Sequence, residues 1–144
     1  MPSQSSSDNE NRNPFADLIG ITFKDTEMGS SFCTVEVRED LLNPNRVLHG
    51  GVSNALADTG MAYALFASLD ENLTCATVEI QLTYLRPVFS GTLSCKSWVV
   101  SKTRKLGFME AEVFNDDRLV AKASGTFSIL RTNAHRSKIE KENG

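Results

Sequence analysis

The sequence predicts an α+β domain in which one long helix packs against a large antiparallel sheet. Residues 52–68 are small or apolar on nearly every side of a helix, which is typical of a helix enclosed by protein. Four long strand-like segments follow at short spacing, and short connections favour antiparallel pairing. We therefore expect two layers, with a sheet of five to six strands wrapped around the long central helix.

The elements before the long helix are a short helix and a hairpin. Asn13, Pro14 and Gly20 are typical of the cap, the first position and the end of a helix. Two strands are expected next, at 21–27 and 31–38. Polar and apolar residues alternate in the second of them, which is typical of a strand. The four later strands are expected at residues 74–87, 91–101, 106–115 and 119–130, and the apolar residues from Val78 to Tyr84 alternate with polar ones in the first of these.

The length and composition fit one domain. The chain has 144 residues, and we expect a domain at 13–131 between a disordered tail at 1–12 and a polar tail at 132–144. No apolar run reaches the roughly 18–20 residues of a membrane span, and the first residues lack the features of a secretory signal. We therefore expect a cytoplasmic protein that contacts no membrane.

Charge and cysteine content exclude two further classes. The net charge is −3 and no basic face is present, so we expect no nucleic-acid partner. The cysteines, Cys33, Cys75 and Cys95, lie far apart and form no CxxC pair, and the chain has only two histidines. A metal site is not expected, and the cysteines are interpreted as small apolar side chains.

The loop before the long helix holds the most informative motif. It ends in His49, Gly50 and Gly51, and the helix that follows carries one carboxylate, Asp58, two turns in. A carboxylate in so apolar a helix costs free energy unless it is paired or used. Glycines at a helix start expose backbone N–H groups, which suit a developing negative charge. Together these residues predict a reaction site.

This motif and the later strand resemble those of the hotdog-fold acyl-CoA thioesterases. The similarity is greatest to the PaaI-like (phenylacetic acid degradation) group, which includes the thioesterase superfamily member 2 type. It spans about residues 14–130 and rests on Asn43, the His-Gly-Gly turn, Asp58 and the strand at 77–87. The resemblance implies a hotdog fold, hydrolysis of an acyl-CoA without a cofactor other than the coenzyme A of the substrate, and a homodimer, often assembled into a homotetramer. It also implies active sites between subunits, each combining the turn of one chain with the Asp of the other.

The same resemblance implies roles for the motif residues. Asp58 would act either as the general base that deprotonates a water or as the nucleophile that forms an acyl anhydride, and the sequence leaves both open. Gly50 is the preferred donor of the oxyanion N–H, followed by Gly51. The alternative for the glycines is a turn that only lets the chain enter the helix.

Three further residues match catalytic positions of the family, and each also suits a structural role. His49 would support the loop or line the site. Asn43 would orient water or substrate, although an Asn before Pro44 is also a common turn arrangement. Thr77 would help to hold the attacking water, although strand threonines are common.

Substrate-binding residues are expected in two groups. One set would line an acyl pocket, and the alternative for these residues is an ordinary place in the core. The other set would contact the phosphates of coenzyme A, and the alternative for its basic cluster is a solvated hairpin end. The family often has a glycine where Thr103 stands here, which leaves the position of the nucleotide open. The residues expected to line the acyl pocket are Tyr63, Phe66, Leu85 and Phe89. The residues expected to contact the phosphates are Arg86, Lys102, Arg104 and Lys105.

Two other functions remain open at this stage. A hotdog protein can bind acyl-CoA without hydrolysing it, although the presence of Asp58 argues against this. A hydratase or dehydratase of the same fold needs a different Asp and His pairing on the helix, and no histidine lies near Asp58 in the sequence. Fold alone does not decide among these functions. Aromatic, hydroxyaromatic and medium-chain acyl groups are all compatible with the pattern.

Overall fold

The computed structural model describes residues 13–132 and 141–143, and a 17-residue helix lies at its centre. A single six-stranded sheet wraps this helix, in the order β1-β2-β4-β5-β6-β3 with every pair antiparallel. The α+β prediction is therefore confirmed. In chain order the elements are α1 (Pro14–Ile19), β1 (Thr22–Glu27), β2 (Ser30–Glu36), a 3₁₀ turn (Glu39–Leu41), α2 (Gly50–Phe66), β3 (Leu73–Tyr84), β4 (Thr92–Lys102), β5 (Leu106–Asn115) and β6 (Arg118–Arg131).

The ends of the helices follow local capping chemistry. Asn13 caps α1 through its side chain, and Gly20 ends it with a φ of +91°, as the sequence predicts. The long helix begins two residues earlier than the predicted residue 52, because His49 caps it and both glycines join its first turn. The predicted tail at 1–12 and most of that at 132–144 lie outside the described residues. Within the described part of the chain, no helix is long and apolar enough to cross a membrane.

One face of α2 is closed by the sheet. Leu56 and Met61 on this face are completely buried. A Cβ atom at Gly60 would lie 2.7 Å from the Ser97 hydroxyl oxygen, so the helix lies very close to side chains of the sheet at this residue. The Ser31 hydroxyl donates to the Gly60 carbonyl at 2.6 Å, which fixes this close contact.

The opposite face of α2 is open along the edge strand β3. Gly51 and Phe66 are exposed, and Asp58 and Ala62 between them are only half-buried. The prediction of an enclosed helix is therefore met on one side only within a single chain. The uncovered side is the one that carries the carboxylate.

Candidate active site

The first turn of α2 is held by the side chain of His49. Its Nδ1 atom accepts a hydrogen bond from the Gly51 N–H at 2.8 Å, as N-cap side chains do. A ring nitrogen that accepts this bond carries no proton, so a neutral His49 has its proton on Nε2. Among the described residues none accepts a hydrogen bond from the Gly50 N–H. Of the two glycine donors, Gly50 is the one left free.

Tyr84, at the end of β3, contacts the same turn. Its hydroxyl donates to the Gly50 carbonyl at 2.6 Å. A Cβ atom at residue 50 would lie 2.9 Å from the Tyr84 hydroxyl oxygen, so the glycine is required here by its own neighbour. Partial burial raises the pKa of the Tyr84 hydroxyl further above its ordinary value, so the hydroxyl is protonated and can donate at neutral pH. Sequence reasoning missed this residue, and its only signal was the alternation that places it on the helix side of β3.

Asp58 is paired with Thr77 across the gap between α2 and β3. The Thr77 hydroxyl donates to Asp58 Oδ1 at 2.7 Å. The contact depends on a β-bulge, because the register of β3 against β6 shifts between Thr77 and Glu79. Strict alternation would turn Val78 toward the helix and Thr77 away from it. The bulge instead leaves Val78 61% exposed and directs Thr77 to the carboxylate.

Cys75 lies beside this pair, two residues before Thr77 on the same strand. Its thiol donates to the Ala62 carbonyl of α2 at 3.6 Å. Burial, and then the negative charge of Asp58, raise the pKa of Cys75 to about 11. The thiol is therefore protonated at neutral pH and is not a thiolate nucleophile.

Asn43 organises the loop that leads to the helix. Its side-chain oxygen accepts hydrogen bonds from the backbone N–H groups of Asn45 at 2.9 Å and Val47 at 3.3 Å. These are the bonds of the turn interpretation. The side-chain amide group of Asn43 retains its own donors, so its predicted contact with water or substrate stays a prediction.

The residues predicted to line an acyl pocket lie in different places. Leu85 and Arg86 border a cavity of about 550 Å³ that His49 and Gly50 also line. Phe89 borders a separate cavity of about 720 Å³ together with Arg86. Tyr63 stacks on Phe23 of β1, with ring centroids 4.0 Å apart, and Phe66 is exposed at the end of α2.

Three of the four predicted phosphate contacts lie at the far end of α2, whereas Arg86 lines the cavity beside Gly50. Arg104 and Lys105 line a cavity of about 830 Å³, and Arg131 of β6 lines it as well. Lys102 has a different contact: its ammonium group donates a hydrogen bond to the Ser68 carbonyl at 3.0 Å, just beyond the end of α2. The cavity therefore gathers three positive charges, of which sequence reasoning missed Arg131, and one negative charge from Asp70.

Gly50 and Asp58, the predicted oxyanion donor and the predicted catalytic carboxylate, do not meet within one chain. Gly50 and Asp58 are eight residues apart in α2, which corresponds to about 12 Å along the helix axis. Reacting groups must approach to about 3–3.5 Å. A carbonyl bound at Gly50 is thus out of reach of a water held at Asp58 of the same chain. In the described residues no group of three or more His, Cys, Asp or Glu side chains is placed to hold a metal ion.

Comparison with known proteins agrees with this fold. The family model of the thioesterase superfamily matches residues 45–122. A candidate esterase of Saccharolobus solfataricus is 30% identical over 79% of this chain and 76% of its own length. The structure of the E. coli PaaI protein, from the phenylacetic acid degradation operon, has a TM-score of 0.78 at 28% identity and covers 86% of this chain and 88% of its own. A conserved protein from Pseudomonas aeruginosa has a TM-score of 0.81 at 29% identity, covering 90% and 100%. The chain therefore belongs to the thioesterase superfamily, has the hotdog fold and is a thioester hydrolase.

Proposed function

We propose that the protein hydrolyses an acyl-CoA with an aromatic or medium-chain acyl group to the free acid and coenzyme A. The single observation that supports this most directly is the Asp58–Thr77 pair on the open face of α2, on the same helix as a free N–H at Gly50. A carboxylate and a free amide at a helix N-terminus can supply the general base and the oxyanion donor for thioester hydrolysis. The proposed reaction needs no cofactor beyond the coenzyme A of the substrate.

The chemistry assigns one task to each group. The thioester carbonyl oxygen accepts a hydrogen bond from the Gly50 N–H, and the helix dipole stabilises the negative charge that develops on it. Thr77 occupies Oδ1 of Asp58, which leaves Oδ2 for the nucleophilic step. Oδ2 either takes a proton from water as the water oxygen bonds to the carbonyl carbon, or attacks that carbon itself to give an anhydride that water then opens. In both routes the C–S bond breaks and coenzyme A leaves as a thiolate that is then protonated.

The 12 Å separation supports a site shared between two copies of the chain. A twofold axis near Asn54, midway between Gly50 and Asp58, would place the free N–H of one copy beside the carboxylate of the other. The open face of α2 between them carries small residues such as Ala55, which permit close approach of a second helix. The edge strand β3 (Leu73–Tyr84) would pair with its symmetry mate, and pairing is a common way to cover an exposed edge.

The face of the sheet turned away from α2 supports a further association into a tetramer. Val100 and Phe108 are exposed on this face beside the half-buried Trp98. Glu112 is flanked in the sheet register by a lysine on each side, one of them Lys122. Alternating charges around an apolar patch suit a second copy related by a twofold axis.

The proposed substrate would contact cavities at both ends of α2. The acyl group would enter the cavity beside Gly50, where Leu85 is exposed. The phosphates of coenzyme A would lie against Arg104 and Lys105 in the basic cavity. Lys102 would contribute mainly by holding the segment after α2, through its hydrogen bond to the Ser68 carbonyl.

The test is release of free thiol from a panel of acyl-CoAs, with Asp58→Asn measured beside the unaltered protein. We expect release from aromatic or medium-chain substrates, and a loss of about 10²–10⁴-fold in the variant, which is the usual size of a general-base contribution. Light scattering on both proteins checks that the assembly is unchanged. Tight binding of acyl-CoA without release, in both proteins, would replace this proposal with the non-catalytic binding protein. Full activity of Asp58→Asn would remove that residue from the mechanism.

A further inference from the structure

The peptide between Gly50 and Gly51 is held from both ends by side chains. The Tyr84 hydroxyl donates to its carbonyl at 2.6 Å, and its N–H donates to His49 Nδ1 at 2.8 Å. Gly50 has no Cβ to restrict its own backbone, and a glycine in a helix is otherwise the most mobile residue. These two hydrogen bonds therefore supply the restraint that a side chain at residue 50 would give.

We propose that Tyr84 is a positioning residue for the oxyanion N–H, acting with His49 to hold the turn in the orientation that leaves the Gly50 N–H free. This inference rests on the proposed function, in which that N–H binds the thioester carbonyl. Tyr84 does not itself touch the reacting atoms in this role. It acts through the Gly50 carbonyl, one peptide away from the donor.

The packing of the ring supports a fixed position for Tyr84. A Cβ atom at residue 50 would lie 3.0 Å from Cζ and 3.2 Å from Cε1 of Tyr84, so the ring edge rests on the bare α-carbon of Gly50. The hydroxyl is thus guided to the carbonyl by van der Waals contact as well as by its hydrogen bond. A tyrosine that only lined the cavity would not need its hydroxyl at this point.

The first experiment compares Tyr84→Phe with the unaltered protein in steady-state kinetics. Phenylalanine keeps the ring and removes the hydroxyl. We expect kcat to fall about tenfold, a fraction of the 10²–10³-fold loss seen when an oxyanion donor is removed, while KM changes less than about twofold. Thr92→Val is the control, because it removes another short hydroxyl hydrogen bond, to Glu36 at 2.8 Å, away from the turn. Unchanged kcat in Tyr84→Phe, or a loss expressed only in KM, would overturn the proposal.

The second experiment measures how firmly the turn is held, in the absence of substrate turnover. Amide hydrogen exchange of the Gly51 N–H in the substrate-free protein should become about fivefold faster in Tyr84→Phe, the effect of losing one hydrogen bond of about 1 kcal/mol. Unchanged exchange at Gly51 would overturn the proposal even if activity falls.

A third readout separates this inference from the proposed function. In an Asp58→Asn background, the infrared carbonyl frequency of a bound aromatic acyl-CoA reports how strongly the oxyanion N–H polarises the thioester. Adding Tyr84→Phe should shift this frequency back toward its value in water, and an unchanged frequency would contradict the positioning role. Failure of the proposed function would instead show as an absence of thiol release in the unaltered protein.

Discussion

The two faces of α2 differ in almost every respect. On the closed face Leu56 and Met61 are completely buried, and Gly60 is pressed so closely to the sheet that no methyl group fits. On the open face Gly51 is exposed, and Asp58 accepts a hydrogen bond from Thr77 across the gap. The comparison indicates that one face of the helix stabilises the fold, while the other carries the residues of the proposed reaction. Substitutions on the two faces should therefore change different quantities.

The largest effect is expected at Gly50, at the start of the open face. Gly50→Pro deletes the proposed oxyanion N–H, and proline suits the first position of a helix. The residue before it is compatible, because His49 has a ψ of 130°. We expect kcat to fall about 10²–10³-fold relative to Gly50→Ala, measured by thiol release.

The control for this comparison is Gly50→Ala itself. It adds the same Cβ against Tyr84 but retains the N–H, so steric effects are common to both variants. Equal activity in the two variants would show that the N–H of residue 50 takes no part in the reaction.

The next effect is expected on the closed face. Gly60→Ala places a Cβ 2.7 Å from the Ser97 oxygen and 3.3 Å from the Cys33 sulfur. Overpacking costs about 1–3 kcal/mol, and a contact as short as 2.7 Å to a buried residue belongs to the upper part of that range, about 2–3 kcal/mol, which exceeds the gain of about 1 kcal/mol in helix propensity. We expect a net loss of about 1–2 kcal/mol in the free energy of unfolding, measured by urea denaturation, with kcat of the folded protein unchanged.

A second substitution sharpens this prediction. Ser97→Ala removes the oxygen nearest to the added Cβ, so the double variant should recover most of the stability lost in Gly60→Ala. A Gly60→Ala protein as stable as the unaltered one would show that the closed face is less tightly packed than described.

A smaller effect on kcat than at Gly50 is expected at Thr77. Thr77→Val removes the hydroxyl that donates to Asp58 and keeps the shape of the side chain. We expect kcat to fall about tenfold, which corresponds to the loss of about 1.4 kcal/mol from a hydrogen bond to a charged group. Thr77→Ser, which keeps a hydroxyl, should retain most of the activity. Similar losses in both variants would point to packing of the strand in place of the hydrogen bond.

Much of the fold could be predicted because hydrophobic patterns follow the period of each element. The apolar pattern of α2 and the alternation in the strands predict the layers, and Gly20 ends α1 as expected. The start of α2 was placed two residues late, because a histidine is not among the usual N-cap residues. Its capping role depends on a ring nitrogen folding back onto Gly51, which pattern alone does not show.

The candidate site was less predictable because it depends on contacts between distant segments. Thr77 reaches Asp58 only because a bulge at Val78 reverses the alternation of β3, and a bulge has no clear signal in one sequence. Tyr84 reaches Gly50 across 34 positions of the chain. The apolar pattern of α2 alone also does not predict its uncovered face, since this pattern does not distinguish a sheet from a second copy as the covering surface.

The central claim is that the carboxylate and the oxyanion N–H act in different copies of the chain, and complementation tests it most directly. Asp58→Asn and Gly50→Pro would be mixed after unfolding and refolded together, and thiol release would be compared with that of each variant alone. Random pairing makes half of the dimers mixed, and each mixed dimer contains one intact site, so we predict about a quarter of the activity of the unaltered protein. No gain over the separate variants, with mixed dimers confirmed by mass spectrometry, would contradict the account.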